Sequence, residues 1–260
     1  MSSTPILADF AAALAQGNIR VVDLTQMLSE DTPLLVLPEE FGQTAPFSRE
    51  EISRYDERGV AWHWHNFTVG EHTGTHFDAP IHWVSGKDLP DNTIDKVPAK
   101  DLVAPAVVLD FSAESAKDAD FLLTADHIRA WEEEHGTIPK GCFVLFRTDW
   151  SKRDTEAYCN RREDGAHTPG PATDAMKLLI DERDILAFGV ETIGTDAGQA
   201  HLLEPQYPAH FLLHGAGKYG LQCMENLDQL PPTGAIVVAA PLKILNGSGS
   251  PMRVLAFVPA

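Results

Sequence analysis

Apolar positions along the chain follow helical spacing in some stretches and strand spacing in others. Ile6 to Gln16 carries them at helical spacing and stops at Gly17, which predicts an amphipathic helix. Ile19 to Leu24, rich in Val and Ile, predicts a strand directly after it. Ala61 to Val69 alternates apolar and polar residues as a half-buried strand does, and it leads into a histidine-rich run. Ala106–Phe111 and Cys142–Thr148 are short apolar runs of the buried-strand kind. Between them, Thr124 is placed to cap a helix from Ala125 to about His135 that ends at Gly136. A further helix is predicted over Thr173–Glu182, and strands over Leu186–Glu191, Ala235–Ala240 and Arg253–Val258. Residues 28 to 50, dense in Pro and polar types, predict a long irregular segment, and residues 152 to 171 an exposed loop. Strands and helices mix without a strict βαβ rhythm, and no repeat or linker divides the chain. The expected fold is therefore α/β, a mixed barrel-like sheet with flanking helices, in a single domain over residues 1–260.

Composition narrows the partners. A chain of 260 residues can bury one substantial core. Its formal charge of -18 argues against nucleic acid, since phosphate binding needs clustered Lys and Arg. No apolar run is long enough to span a membrane, and the first residues lack the basic start and apolar block of a signal peptide, so the expected location is the cytoplasm. Cys142, Cys159 and Cys223 are too few and too scattered for a disulfide framework or a Cys-rich zinc site. No nucleophile elbow and no phosphate-binding Gly loop occurs, which leaves activated water as the obvious nucleophile for a hydrolase.

The candidate chemistry sits in His72-Thr-Gly-Thr-His76-Phe-Asp78-Ala-Pro-Ile-His82. A lone histidine near a glycine turn usually just satisfies hydrogen bonds. Three histidines and an aspartate within eleven residues, interleaved with Gly74 and Pro80, point instead to a metal site. A straight strand would hold His72 and Asp78 about 20 Å apart, and a helix would send Asp78 away from the two histidines. Gly74 and Pro80 are the residues expected where a backbone bends, so an extended segment with a turn inside it is predicted. Two imidazoles and a carboxylate suit Zn²⁺, Mn²⁺ or Fe²⁺, with positions open for water and substrate. If His82 stays off the metal, it is placed to act as general base for that water.

The same string, His72-x-Gly74-Thr75-His76-x-Asp78-x-Pro80-x-His82, resembles the signature of the cyclase superfamily, which includes bacterial kynurenine formamidases and isatin hydrolases. The resemblance runs over nearly the whole chain and leans to the isatin hydrolase branch. It includes Asp120–Asp126, Arg147-Thr-Asp-Trp150, His167-Thr-Pro-Gly-Pro171, Gly194–Ala200 and Pro208-Ala-His210. It implies a swivelling β/β/α fold, a homodimer or higher homo-oligomer with sites near the subunit interface, and metal ligation by His72, His76 and Asp78 with catalysis assisted by His82. In the formamidase branch a second metal recruits a later His and a Glu, for which His210 and Glu225 are the matching residues. The isatin hydrolase branch implies one manganese; zinc is the other candidate ion.

Several further residues are set against simpler roles. Trp62, Trp64, Phe67 and Trp83 flank the motif and would suit a slot for a planar aromatic substrate, against ordinary packing. Cys223 falls where a small polar residue lines the pocket in isatin hydrolases, against plain core. Asp196 would orient a ligand histidine, against capping its own turn. His63 and His65 depart from the family pattern and are assigned to the surface or to a supporting place behind the ligands. His127 and His135 lie on an acidic helix and are read as solvated; His201 and His214 have no motif partner. Three functions are carried forward: hydrolysis of a cyclic amide, isatin to isatinate; hydrolysis of N-formylkynurenine or another small amide or lactone; and a non-catalytic small-molecule or metal-binding module, for which a spare base such as His82 would be superfluous.

Overall fold

The computed structural model describes residues 6–260. Ten strands matter here: β1 (Ile19–Asp23), β2 (Ser48–Asp56), β3 (Gly59–Thr68), β4 (His76–Asp78), β5 (Val103–Asp110), β6 (Phe143–Arg147), β7 (Ala187–Val190), β8 (Tyr219–Gln222), β9 (Ala235–Pro241) and β10 (Gly249–Pro259). Eight of them form one sheet in the order β1-β10-β9-β5-β6-β7-β8-β4, and a further pairing of β4 with β10 closes it. The ring thus holds seven strands, with β1 lying outside it along the far half of β10. Strands β5 to β8 run parallel, and the remaining neighbours are antiparallel.

Parallel neighbours need crossovers, and the helices supply them. Helix α1 (Ile6–Ala15) precedes β1; α2 (Ala125–His135), α3 (Thr173–Lys177) and α4 (Pro208–Gly215) lie between successive parallel strands. Alternation along the strands then builds two cores. Ala106, Val108, Phe143 and Leu145 point into the ring with Phe77, Leu221, Val237 and Val254. Val107, Leu109, Val144 and Phe146 point outward and are covered by Ile128, Trp131, Met176, Leu179 and Leu213 of the helix layer. The mixed barrel-like sheet with flanking helices agrees with the sequence expectation. Thr124 caps α2 as expected: its hydroxyl accepts from the His127 amide at 3.3 Å, while His127 Nδ1 accepts from the Thr124 amide at 3.1 Å.

Two expectations, for residues 28–50 and 152–171, need correction, and two elements, β8 and α4, were not predicted. Ser48–Asp56 is a strand that overlaps the stretch expected to be irregular; its residues are almost all polar because it pairs only with β3 in a hairpin. β8 carries no alternation because every residue in it is buried. α4 begins at Pro208, and only the first-turn position of that proline hinted at a helix. The 152–171 segment is not simply exposed. Tyr158 accepts the Trp150 indole N–H at its carbonyl (2.7 Å), and His167 to Pro171 are buried against the body. Among the described residues, no helix is long and apolar enough to cross a membrane.

Candidate metal centre

The short strand β4 is gripped on both edges. Asp78 pairs with Gly220 of β8 and Gly249 of β10, and His76 with Gln222 and Pro251. Phe77 is sealed in the ring interior, which directs His76 and Asp78 to the opposite side. Gly74, at φ +63, turns the chain ahead of this strand, and Pro80–His82 closes into a tight 3₁₀ turn after it. These two bends fold the run back on itself. His72 Nδ1 comes within 2.8 Å of Asp78 Oδ1, and the His72 and His82 rings stack with centroids 3.8 Å apart.

His76, His210 and His214 each have Nδ1 committed to the scaffold. His76 Nδ1 donates to the Gly74 carbonyl at 2.7 Å. Its Nε2 is buried without a hydrogen-bond partner and stands 3.3 Å from Asp78 Oδ1. The other nitrogen of His72, Nε2, meets Ser248 Oγ at 2.8 Å, and that hydroxyl donates to Glu71 at 2.6 Å. Helix α4 adds two more imidazoles at i and i+4, on one face. His210 Nδ1 donates to Asp196 at 2.5 Å, and the same carboxylate accepts the Ala209 and His210 amides at the start of α4. His214 Nδ1 donates to the Lys218 carbonyl at 3.2 Å, which leaves a buried Nε2 with no partner. Gln222 donates to the second oxygen of Asp78 and accepts the Gly194 amide at 2.6 Å.

Asp78 is the common member of two ligand-like groups, His72–Asp78–His82 and Asp78–His210–His214, with ligand atoms in each all within 4.8 Å of one another. Burial opposes charge on Asp78, but His76 and His82 beside it hold its carboxyl well below the usual range. Burial also opposes charge on His76, yet the Asp78 carboxylate overrides it and lifts that imidazole to about 10. His82 falls to about 3, chiefly through burial, with His72, His210 and His214 adding repulsion against the attraction of Asp78. Burial takes His214 down to about 4. His210 is raised despite burial because Asp196 stabilises its charged form. Two buried imidazole nitrogens without partners beside a buried carboxylate fit a divalent cation, and the nitrogen–oxygen donor set suits Zn²⁺ or Mn²⁺.

Residues 22–197 match the family model described as putative cyclase. The chain belongs to the cyclase family. Within it, the isatin hydrolase of Roseibium aggregatum is 49% identical over 262 residues, covering 100% of this chain and 99% of that one. Isatin hydrolase A from Labrenzia aggregata, solved bound to benzyl benzoate, superposes with a TM-score of 0.97 at 58% identity, over 98% of this chain and 100% of that one. A second isatin hydrolase structure, bound to the product analogue thioisatinate, gives 0.97 at 49% identity over 100% of both chains. With such full-length relatives this cyclase-family member is a hydrolase.

The remaining candidates separate into those near the histidines and those apart from them. Trp83 follows His82 and lies 4.7 Å from the His210 ring and 5.7 Å from Tyr207. Cys223 is buried, with a left-handed backbone, and its thiol sits beside His76 and the Tyr158 hydroxyl. Trp62 and Trp64 are about half exposed on the β2–β3 hairpin, and no hydrogen bond or aromatic contact among the described residues links them to the histidines. Within this chain they do not line the centre. Glu225 is also apart from it: its amide donates to the Leu24 carbonyl, and burial together with nearby Asp23 raises its carboxyl. No group of three metal-ligating side chains among the described residues includes Glu225; the carboxylate grouped with His210 and His214 is Asp78. Gln222, Ser248 and Glu71 are not singled out by the sequence and His214 is set aside there for want of a motif partner; only the His-x-x-x-His spacing after Pro208 offers a signal.

Proposed function

We propose that this cyclase-family chain, acting as one domain over residues 1–260, opens the lactam ring of isatin to give isatinate. The single observation that carries the proposal is the buried cluster around Asp78, with the His76 and His214 Nε2 atoms unpartnered, in a chain that matches isatin hydrolases end to end. His72, His76 and Asp78 would hold the ion, manganese in first place and zinc in second. Such an ion, when bound, supplies Lewis acidity to the lactam carbonyl and lowers the pKa of water.

The chain's own groups do the rest. Burial leaves His82 uncharged, so its lone pair is free to accept a proton from the attacking water, and the Asp78 carboxylate nearby favours the protonated ring that results. The water oxygen bonds to the lactam carbon, the C–N bond breaks, and the proton held by His82 passes to the departing aryl nitrogen. Asp196 fixes the ring plane of His210, and Gln222 fixes Asp78, so neither has to reorganise during the reaction. Trp83, half-buried against His210, offers a face for the planar substrate.

The same reading includes a homodimer. A two-stranded hairpin is marginally stable alone, and β2–β3 presents Trp62, Trp64 and Phe67 to solvent. A second subunit would cover that face, and Trp62 and Trp64 would then reach substrate across the interface. Cys223 would line the inner end of the pocket. Chelator-stripped protein reloaded separately with Mn²⁺ and Zn²⁺ is expected to consume isatin, followed by loss of its visible absorbance. Turnover equal to buffer with both ions would overturn the substrate, and faster consumption of N-formylkynurenine would transfer the site to that amide. Light scattering at twice the 28.4 kDa chain mass checks the dimer.

A further inference from the structure

The hairpin that carries Trp62 and Trp64 has a second face with different chemistry. His63 and His65 stand two apart on β3 and so point the same way. Glu51 lies directly across from His65, and Arg54 across from His63. The register shifts between Glu51 and Ser53, where one extra residue on β2 keeps Glu51 and Arg54 on this same face. The two imidazole rings are 4.7 Å apart, and His63 Nε2 is 3.8 Å from Glu51 Oε2. One ligand atom from each of Glu51, His63 and His65 falls within 4.8 Å of the other two.

We propose that Glu51, His63 and His65 form a second cation site, separate from the catalytic cluster, for a borderline transition-metal dication such as Zn²⁺. Two imidazoles and one carboxylate leave a fourth position for water, the usual count for an open zinc site. Ligands about 2.1 Å from a tetrahedral ion stand roughly 3.4 Å apart, so modest side-chain rotations bring these partly exposed groups to that spacing. A positive charge already lies between the same atoms: Arg54 Nε donates to His63 Nε2 at 3.4 Å and lies 3.2 Å from Glu51 Oε2. That arrangement shows His63 Nε2 accepting, with its lone pair turned towards the gap. Arg54, 65% exposed at its side chain, swings into water when a dication takes its place, while Arg58 stays on the other Glu51 oxygen at 2.9 Å. The ion crosslinks β2 to β3 and stiffens the hairpin on the side opposite Trp62 and Trp64.

The test uses untagged full-length protein, stripped of metal and titrated with Zn²⁺ alone. The wild type is expected to bind one more Zn²⁺ per chain than the double variant His63→Ala/His65→Ala. Both proteins keep the same Mn²⁺ uptake, because the catalytic residues are untouched. Arg54→Gln is expected to bind this extra ion several-fold more tightly by removing the competing guanidinium. Amide exchange over residues 48–68 slows on adding Zn²⁺ to the wild type and not to the double variant. Equal zinc counts in wild type and double variant, or an extra ion that leaves hairpin exchange unchanged, would overturn the site.

Discussion

Asp78 has one oxygen facing His72 and His76 and the other held by Gln222, so small losses around it would be felt by an ion held there. Gln222→Leu is expected to weaken metal affinity about 10- to 100-fold while activity returns at saturating metal, as a metal titration would show. His82→Ala is expected to lower kcat by about 10²- to 10⁴-fold with metal occupancy unchanged; loss of the ion alongside activity would make His82 a ligand instead. His76 gives a pH prediction. In the metal-free protein Asp78 keeps it protonated up to about 10, so metal must displace that proton. Affinity is then expected to rise with pH, and calorimetry in buffers of different ionisation heat should report proton release on loading. These roles were unequally legible. The His72–His82 run declares itself because all its members are local, with Gly74 and Pro80 marking the bends. His214, Gln222 and Ser248 reach the same spot through pairings between strands and helices far apart in sequence, and only the spacing of His214 from His210 hints at it.

At the scale of elements, the candidate metal centre depends on two glycines that let other strands approach β4. A methyl group at Gly249 would stand 2.5 Å from the His72 ring and 2.5 Å from the Phe77 carbonyl; one at Gly220 would meet Asp78 Oδ2 at 2.8 Å. Gly249→Ala is expected to displace His72 and cut metal affinity at least about 10-fold, with the far-UV circular dichroism retained; wild-type affinity would show that β10 yields without cost. Elements with β-branched, apolar character, such as β6 and β9, were readable because burial on a regular sheet leaves a pattern. β2 was not, since SREEISRYD pairs only with β3 and has no core face to write one. Trp62 and Trp64 show the same blindness in reverse. Their closeness to the motif in sequence says nothing of the hairpin that carries them away from it.

Across the whole molecule, the 152–171 segment is tied down by His167, which bridges Asp120 at 2.7 Å and Asp164 at 3.0 Å. Its partners, Asp164 first and then Asp120, raise the imidazole above its ordinary value. A histidine with a raised folded pKa stabilises fully below about 6.5 and loses that contribution as pH rises through the folded value. Limited proteolysis of this segment is therefore expected to accelerate on going from pH 6 to roughly pH 9 in the wild type, with a flatter response in His167→Gln. Equal profiles would show that the bridge does not hold the segment.

The closed ring also sets an order of events in the life of the chain. The strand bearing His76 and Asp78 needs β10 as its neighbour, and β10 is the final strand in the sequence. His72 likewise waits for Ser248, 176 residues further on. During synthesis, every other part of the barrel emerges while β4 still has one bare edge. Pairings over such separations are slow to form, and bare edges invite association with other chains. The centre therefore closes only after β10 has been made. A product cut short before Gly249 would retain all five clustered histidines and lack the β10 wall that faces His72 and Asp78.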